Sequence, residues 1–165
     1  MYLVPPSTDN SNGNLDRIHP YVHVFDFADI VHSKGVVQFY QKEAKRAHTE
    51  FHRAYTVRRK IYDEDSCHPR IVVSLLHLGH SCTAEKNYDS AIEYYSKCLD
   101  KSELLYGVTS MHLTIVLVSL GHALRLKGLV EKAKQNYKRA IKLEKSHRVS
   151  QIADRRTALA GMKYV

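Results

Sequence analysis

The apolar positions of this chain recur with a helical period through most of its length. In the middle of the chain, four apolar or small residues are spaced at i, i+3, i+4 and i+7, which is one face of a helix: Leu75, Leu78, Gly79 and Cys82. A second set with helical spacing follows the short polar segment AEKNYD: Ala91, Tyr95, Cys98 and Leu99. The pattern therefore predicts two helices joined by a tight turn.

The same skeleton is repeated forty-two residues later. The matching pairs include Leu75 and Leu117, Leu78 and Leu120, Gly79 and Gly121, His80 and His122, Ala91 and Ala133, and Tyr95 and Tyr137. A degenerate third copy lies upstream, where a shift of forty-four residues maps Gly79 onto Gly35 and Tyr95 onto Phe51. Because the copies share their apolar positions while their polar positions differ, we interpret them as repeated helical hairpins.

The repeats predict an all-α chain of three stacked antiparallel hairpins, closed by a half-polar capping helix. We divide the chain into a disordered segment at 1–16, a degenerate first repeat at 17–64, a second repeat at 68–108, a third repeat at 110–147 and a capping helix at 149–163. Gly107 is expected to end one helix, and Ser110 to cap the next. Gly79 and Ala91 are expected to meet at a helix crossing.

Composition narrows the classes of function. With 165 residues the chain is long enough for one domain, or one short array, with a substantial core. Its three cysteines form no CxxC pair and no apolar run reaches transmembrane length, so we expect reduced thiols and a cytoplasmic protein. The formal net charge of +8 raises nucleic acid or an acidic partner as options.

The skeleton resembles the tetratricopeptide repeat. The signature positions of that family are filled in the second repeat by Leu75, Leu78, Gly79, Cys82, Ala91, Tyr95 and Cys98, and in the third by Leu117, Leu120, Gly121, Leu124, Ala133, Tyr137 and Ala140. The long spacing and the leading His68-Pro69 pair look like the kinesin light chain and nephrocystin subgroup. The resemblance implies a right-handed superhelix that is not catalytic and that holds an extended peptide or a partner helix in a concave groove.

By position in that family, eight residues on the first helices of the second and third repeats would face the groove: Val73, Leu76, His80, Thr83, Ile115, Val118, His122 and Arg125. Further groove positions would be Ala84, Leu126, Asp29, His32, Val36, Phe39 and Tyr40. Chaperone-binding members use a Lys/Asn/Arg clamp, and Leu76, His80, Val118 and His122 stand at clamp-like places instead. Two hypotheses remain open for His80 and His122: either they lie one above the other on the groove floor, or they fill space between stacked helices.

Other functions have weaker support. No Ser-His-Asp order, phosphate loop or HExxH motif indicates catalysis, and no cofactor is expected. His77, His80 and Cys82 lie close in sequence but lack a paired second motif, so no metal site is predicted.

A basic-surface nucleic-acid-binding helical repeat protein is the alternative function. Basic runs at 58–60, 134–139 and 155–156 support it, but most of these residues fall on second helices. We expect that side, with Arg58 and Arg59, to be a solvated outer face. The expected partner is therefore a protein or peptide, with no specific nucleic acid and no membrane, and the chain is expected to be a homo-oligomer or part of a longer protein.

Overall fold

The computed structural model describes residues 22–63 and 66–161. Within these ranges there are six helices and no strand: α1 Val22–Tyr40, α2 Ala44–Tyr62, α3 Pro69–Ala84, α4 Tyr88–Tyr106, α5 Leu113–Leu126 and α6 Val130–Gly161. The all-α fold expected from the periodicity is confirmed. The expected disordered segment at 1–16 lies outside the described residues, as do residues 17–21, 64 and 162–163 of the predicted elements.

Consecutive helices form three hairpins, α1 with α2, α3 with α4, and α5 with α6. The hairpins stack because α2 also packs on α3, and α4 on α5. Each hairpin turn has three residues, at 41–43, 85–87 and 127–129. Connections this short make the two helices of a hairpin antiparallel.

The three hairpin turns close with the same backbone geometry. The middle residue has a positive φ in each turn: 64° at Lys42, 60° at Lys86 and 89° at Gly128. The next N–H donates to the carbonyl five residues earlier, at 2.9–3.0 Å: Glu43 to Gln38, Asn87 to Cys82, and Leu129 to Leu124. This is the hydrogen bond of a Schellman motif, and it satisfies a carbonyl that the helix end leaves free.

A glycine opposite an aromatic ring recurs in every hairpin. A Cβ atom would lie 2.8 Å from the nearest ring carbon at Gly35, 2.3 Å at Gly79 and 2.8 Å at Gly121, and the rings are Phe51, Tyr95 and Tyr137. Each of these glycines therefore allows its two helices to approach more closely than any side chain would permit. The atoms that crowd Gly79 belong to Tyr95, whereas Ala91, expected at this crossing, is fully buried one turn earlier on α4.

The apolar core runs through the stack rather than filling one centre. One cluster joins the second and third hairpins: Cys82, Ala91, Tyr95, Leu120, Ala123, Leu124 and Ala133. A second cluster, Ala47, Phe51 and Leu78, joins the first and second hairpins. Leu99 on α4 packs against three of the clusters, which makes it a central contact between α4 and α5.

Two predicted boundaries are wrong. The third repeat does not end before a separate helix at 149, because α6 continues from Val130 to Gly161 without a break. The segment SHRVSQ at the expected boundary contains neither Gly nor Pro, so nothing in it stops a helix. Ser110 is not the N-cap of α5, since that position is held by His112. The Ser110 hydroxyl instead accepts a hydrogen bond from the His112 N–H at 3.2 Å.

The other end signals act as expected. Gly107 follows the last residue of α4 with φ 84°, and its N–H donates to the Glu103 carbonyl at 2.9 Å. Pro69 is the first residue of α3, and the His68 side chain accepts a hydrogen bond from the Arg70 N–H. The function of residues 149–161 as a cap stays a prediction.

Candidate functional site

A cavity of about 450 Å³ lies where the first helices of the three hairpins meet. Its lining comes from α1, α3 and α5, with one residue from α4: Phe39, His80, Thr83, Ala84, Tyr95, Val118, Ser119 and His122. The only polar side-chain groups in this set are imidazoles and hydroxyls. The cavity therefore offers apolar walls with a few hydrogen-bonding groups, as small-ligand and peptide pockets commonly do.

Four of the eight predicted groove residues line this cavity: His80, Thr83, Val118 and His122. The other four do not. Val73 and Ile115 are 41% and 57% exposed and lie about two turns earlier on their helices. Leu76 packs against the core clusters, and Arg125 is exposed one turn after His122.

His80 has a structural contact as well as a place in the cavity wall. Its Nε2 atom lies 3.2 Å from the Ser119 hydroxyl on α5, and its ring is 5.7 Å from the Tyr95 ring and 6.4 Å from the Phe39 ring. Burial, followed by the charge of His77, lowers the His80 pKa to about 4. The ring is therefore neutral near pH 7, so it both fills space between hairpins and presents a neutral polar edge to the cavity. His122 is exposed on the same cavity.

Arg58 lies inside the stack, so its expected place on the outer face is wrong. Its side chain is 5% exposed. The guanidinium donates to Asp29 Oδ1 at 2.8 Å, to Ser74 Oγ at 2.6 Å and to the Arg70 carbonyl at 3.2 Å. The Arg70 guanidinium pairs with the same Asp29 carboxylate. This network ties α1, α2 and α3 together, so Asp29 serves the packing of the hairpins.

A row of three histidines continues from this network toward the cavity. His32 Nδ1 lies 3.3 Å from an Arg58 nitrogen, the His32 and His77 ring centroids are 4.7 Å apart, and those of His77 and His80 are 5.8 Å apart. Phe51 stacks on His77 at 5.0 Å. Burial, helped by Arg58 and His77, lowers the His32 pKa to about 3, and burial also lowers the His77 pKa. These rings are neutral packing groups at neutral pH.

The described residues contain no group of three or more His, Cys, Asp or Glu side chains that could hold a metal ion. Burial raises the pKa of the Cys82 thiol to about 11 and that of Cys98 to about 12. A nucleophilic cysteine needs a low pKa, so these two thiols are inert packing groups.

The repeated turns, the glycine–aromatic contacts and the stacked hairpins together define an array of repeated helical hairpins. Residues 70–146 match the family model of the tetratricopeptide repeat. This range covers α3, α4 and α5 and the packed part of α6. Tetratricopeptide repeats generally mediate protein–protein interaction.

The crystal structure of the tetratricopeptide domain of Arabidopsis FLU has the same fold. The superposition gives a TM-score of 0.66 at 20% sequence identity, and it covers 74% of this chain and 98% of that domain. At this identity the likeness establishes the tetratricopeptide fold and nothing more. No curated protein matches the sequence. None of the helices formed by the described residues combines the length and apolar character needed to cross a bilayer.

Sequence reasoning missed three residues that shape this array of helical hairpins. Ser119 and Arg58 were missed because a hydroxyl or a guanidinium on a helix gives no sign of which neighbour it will reach. Lys86 was missed because a positive φ is usually signalled by Gly or Asn. Alignment with Gly128 at the forty-two-residue offset was the available signal for that turn.

Proposed function

We propose that this chain is a non-catalytic interaction scaffold that binds a peptide or a partner helix in the groove formed by α1, α3 and α5. The observation that carries the proposal is the cavity to which all three first helices contribute. A surface assembled from one helix of each hairpin exists only in the stacked array. The tetratricopeptide match supports an interaction role of this kind.

The chemistry of the groove favours an apolar anchor on the ligand. Phe39 and the 44%-exposed Val118 offer apolar surface, while His80 and His122 add polar edges. Arg125, exposed one turn beyond His122, gives a ligand carboxylate a nearby cation. The groove therefore suits a segment with large apolar side chains and an acidic group at one end.

Selection from a displayed random peptide library tests this proposal. We expect the wild-type chain to enrich peptides with apolar anchors, and we expect Val118→Glu to abolish their binding, because a carboxylate in the apolar wall would be desolvated without a partner. Leu104→Glu is the matched control, since Leu104 is 77% exposed on α4 and does not line the cavity. Both variants should melt close to the wild type, because both side chains are exposed.

Peptides that bind Val118→Glu as well as they bind the control would show that the ligand uses another face. The salt dependence of binding distinguishes the proposed function from the alternative, nucleic-acid binding. Binding driven by phosphate contacts weakens steeply with ionic strength, whereas binding in an apolar groove does not. Retention of the selected peptides at high salt is therefore the expected result.

We further propose, from the forty-two-residue spacing and from the His68-Pro69 pair, that the scaffold is most similar to the kinesin light chain and nephrocystin subgroup. This proposal concerns the scaffold and not the ligand.

A further inference from the structure

The second half of α6 extends beyond the packed stack. Ala133, Ala140 and Leu143 are the buried residues of this helix among those whose side chains are described. From 145 to 153 every residue is exposed, so this stretch is a helix with all of its faces in water. Its exposed apolar side chains include Val149 at 68% and Ile152 at 53%.

One side of α6 faces away from α5 and corresponds to the side of α4 that packs on α5. On α6 no helix of the described residues packs against this side. Leu99 on α4 packs into three apolar clusters, against residues that include those of α5. The residue forty-two positions later is Ile141, which is 51% exposed. Where α4 carries a further helix on this side, α6 leaves an equivalent surface open.

This open surface is a stripe of three basic residues and two isoleucines. We define the α6 stripe as five exposed residues at i, i+3, i+7, i+10 and i+14: Lys138, Ile141, Lys145, Arg148 and Ile152. At about 1.5 Å per residue it is about 21 Å long. None of the ion pairs formed by the described side chains involves Lys138, Lys142 or Lys145, whereas Arg148 pairs with Glu144 at 2.6 Å. The stripe therefore carries unneutralised positive charge around two exposed isoleucines.

We propose that the α6 stripe binds an acidic amphipathic helix of a partner protein, in the position that a further helix of the array would take. The apolar side of that helix packs on Ile141 and Ile152, and its carboxylates pair with Lys138 and Lys145. This surface is distinct from the groove, because it lies on the second helix of the last hairpin.

The charge and the spacing decide between possible occupants. A second copy of the chain would bring a formal charge of +8 and the same basic stripe, so like charges would oppose the pairing. Nucleic acid would neutralise the lysines but would leave Ile141 and Ile152 without an apolar partner. A helix places side chains at i, i+3 and i+7 on one face, so it can cover the isoleucines and reach the lysines together.

Binding of a designed helix to the full-length chain tests the proposal. The probe is a fluorescent peptide of about 20 residues, long enough to follow the stripe, with Leu at the seam positions and Glu on both flanks. We expect Lys138→Glu with Lys145→Glu to weaken its binding by about tenfold or more, because two attractive pairs become repulsive. A second peptide with Lys in place of each Glu should prefer this reversed variant.

Two further variants complete the experiment, with folding checked by circular dichroism. Lys45→Glu with Lys60→Glu makes the same charge change on exposed positions of α2 and should affect binding much less. Ile141→Ser with Ile152→Ser keeps the charge and should also weaken binding about tenfold, through lost apolar burial. Equal effects of the two charge reversals would overturn the proposal. It would also fail if the serine variant bound normally while a short DNA duplex competed away the peptide.

Discussion

Substitution of Gly79 by Ala tests the packing principle that repeats through the array. The new Cβ atom would lie 2.3 Å from Cε1 and 2.7 Å from Cζ of the Tyr95 ring. The ring cannot move aside easily, because Tyr95 is 2% exposed, is packed in the cluster between the second and third hairpins, and has its hydroxyl 3.2 Å from the Thr83 hydroxyl. Ala at this position must therefore separate α3 from α4 or displace the ring.

The magnitude follows from two opposing effects. Ala in place of a mid-helix Gly stabilises a helix by about 1 kcal/mol. Overpacking a full core costs about 1–3 kcal/mol, and a contact this short on a ring held in place belongs at the upper end. We therefore expect Gly79→Ala to lower the free energy of unfolding by about 2 kcal/mol, which corresponds to a fall in melting temperature of about 4–8 °C for a domain of this size.

A double-mutant cycle measured by urea unfolding provides the assay. In a Tyr95→Leu background the ring is absent, so Gly79→Ala should be neutral or slightly stabilising, and the coupling between the sites should be about 2–3 kcal/mol. Gly121→Ala should lower the free energy of unfolding by less than Gly79→Ala does. Its Cβ would lie 2.8 Å from the Tyr137 ring, which is partly exposed and can move more easily. The reasoning is refuted if Gly79→Ala stabilises the wild-type chain or costs the same in both backgrounds.

Three other expectations follow from the polar groups inside the stack. Arg58→Ala removes a buried guanidinium together with its hydrogen bonds to Ser74 and to the partly exposed Asp29, and should cost about 2–3 kcal/mol in urea unfolding, because hydrogen bonds of charged groups contribute more than neutral ones. Arg46→Ala removes an exposed pair with Glu43 and should cost less than about 1 kcal/mol, and similar losses for the two variants would contradict the buried network. The pKa of His32 in the fold lies below its unfolded value of about 6.5. The contribution of His32 to the free energy of unfolding is therefore fully present above pH 6.5 and is lost as the pH falls toward 3, with a loss of about 2 kcal/mol at pH 5. His32→Phe should flatten the pH dependence of the unfolding free energy between pH 7 and 5. An unchanged slope would show that His32 is not held in its neutral form by the fold. Cys67 is partly exposed and should react with a thiol reagent in the folded chain, while the two buried thiols react only on unfolding, as mass spectrometry of the labelled protein would reveal.

The hairpin architecture could be predicted because it rests on spacing. Two features can be read directly from positions along the sequence: the helical period and the repeated interval of sixteen residues between a glycine and an aromatic residue. The interval runs from Gly35 to Phe51 and from Gly79 to Tyr95. Packing between the two helices of a hairpin depends on the same spacing, although the residue directly opposite Gly79 is Tyr95 and not the Ala91 expected there.

Contacts between hairpins were harder to predict, because they depend on the angle at which one hairpin meets the next. Arg58 illustrates this, since a basic run of three residues gives no sign that its first member turns inward to Ser74 on α3 of the next hairpin. The predicted groove residues show the same dependence, because only some of them line the cavity. Positional analogy included His80 and Val118, which line the cavity, but it also included Leu76, which is partly buried and packs against the core clusters.

Because α6 is unbroken, the number of residues between two of its side chains sets the angle between them around the helix axis as well as their distance along it. Each residue advances the helix by about 1.5 Å and turns it by about 100°. One residue inserted between Glu144 and Arg148 would therefore rotate Ile152 by more than a quarter turn relative to Ile141, while moving it along the axis by the length of a single residue. Seven inserted residues would nearly restore the original direction, with an error of about 20°. A surface that contains both isoleucines is thus sensitive to the number of residues between them, although the charge of the helix and the packed core of the stack would be unchanged.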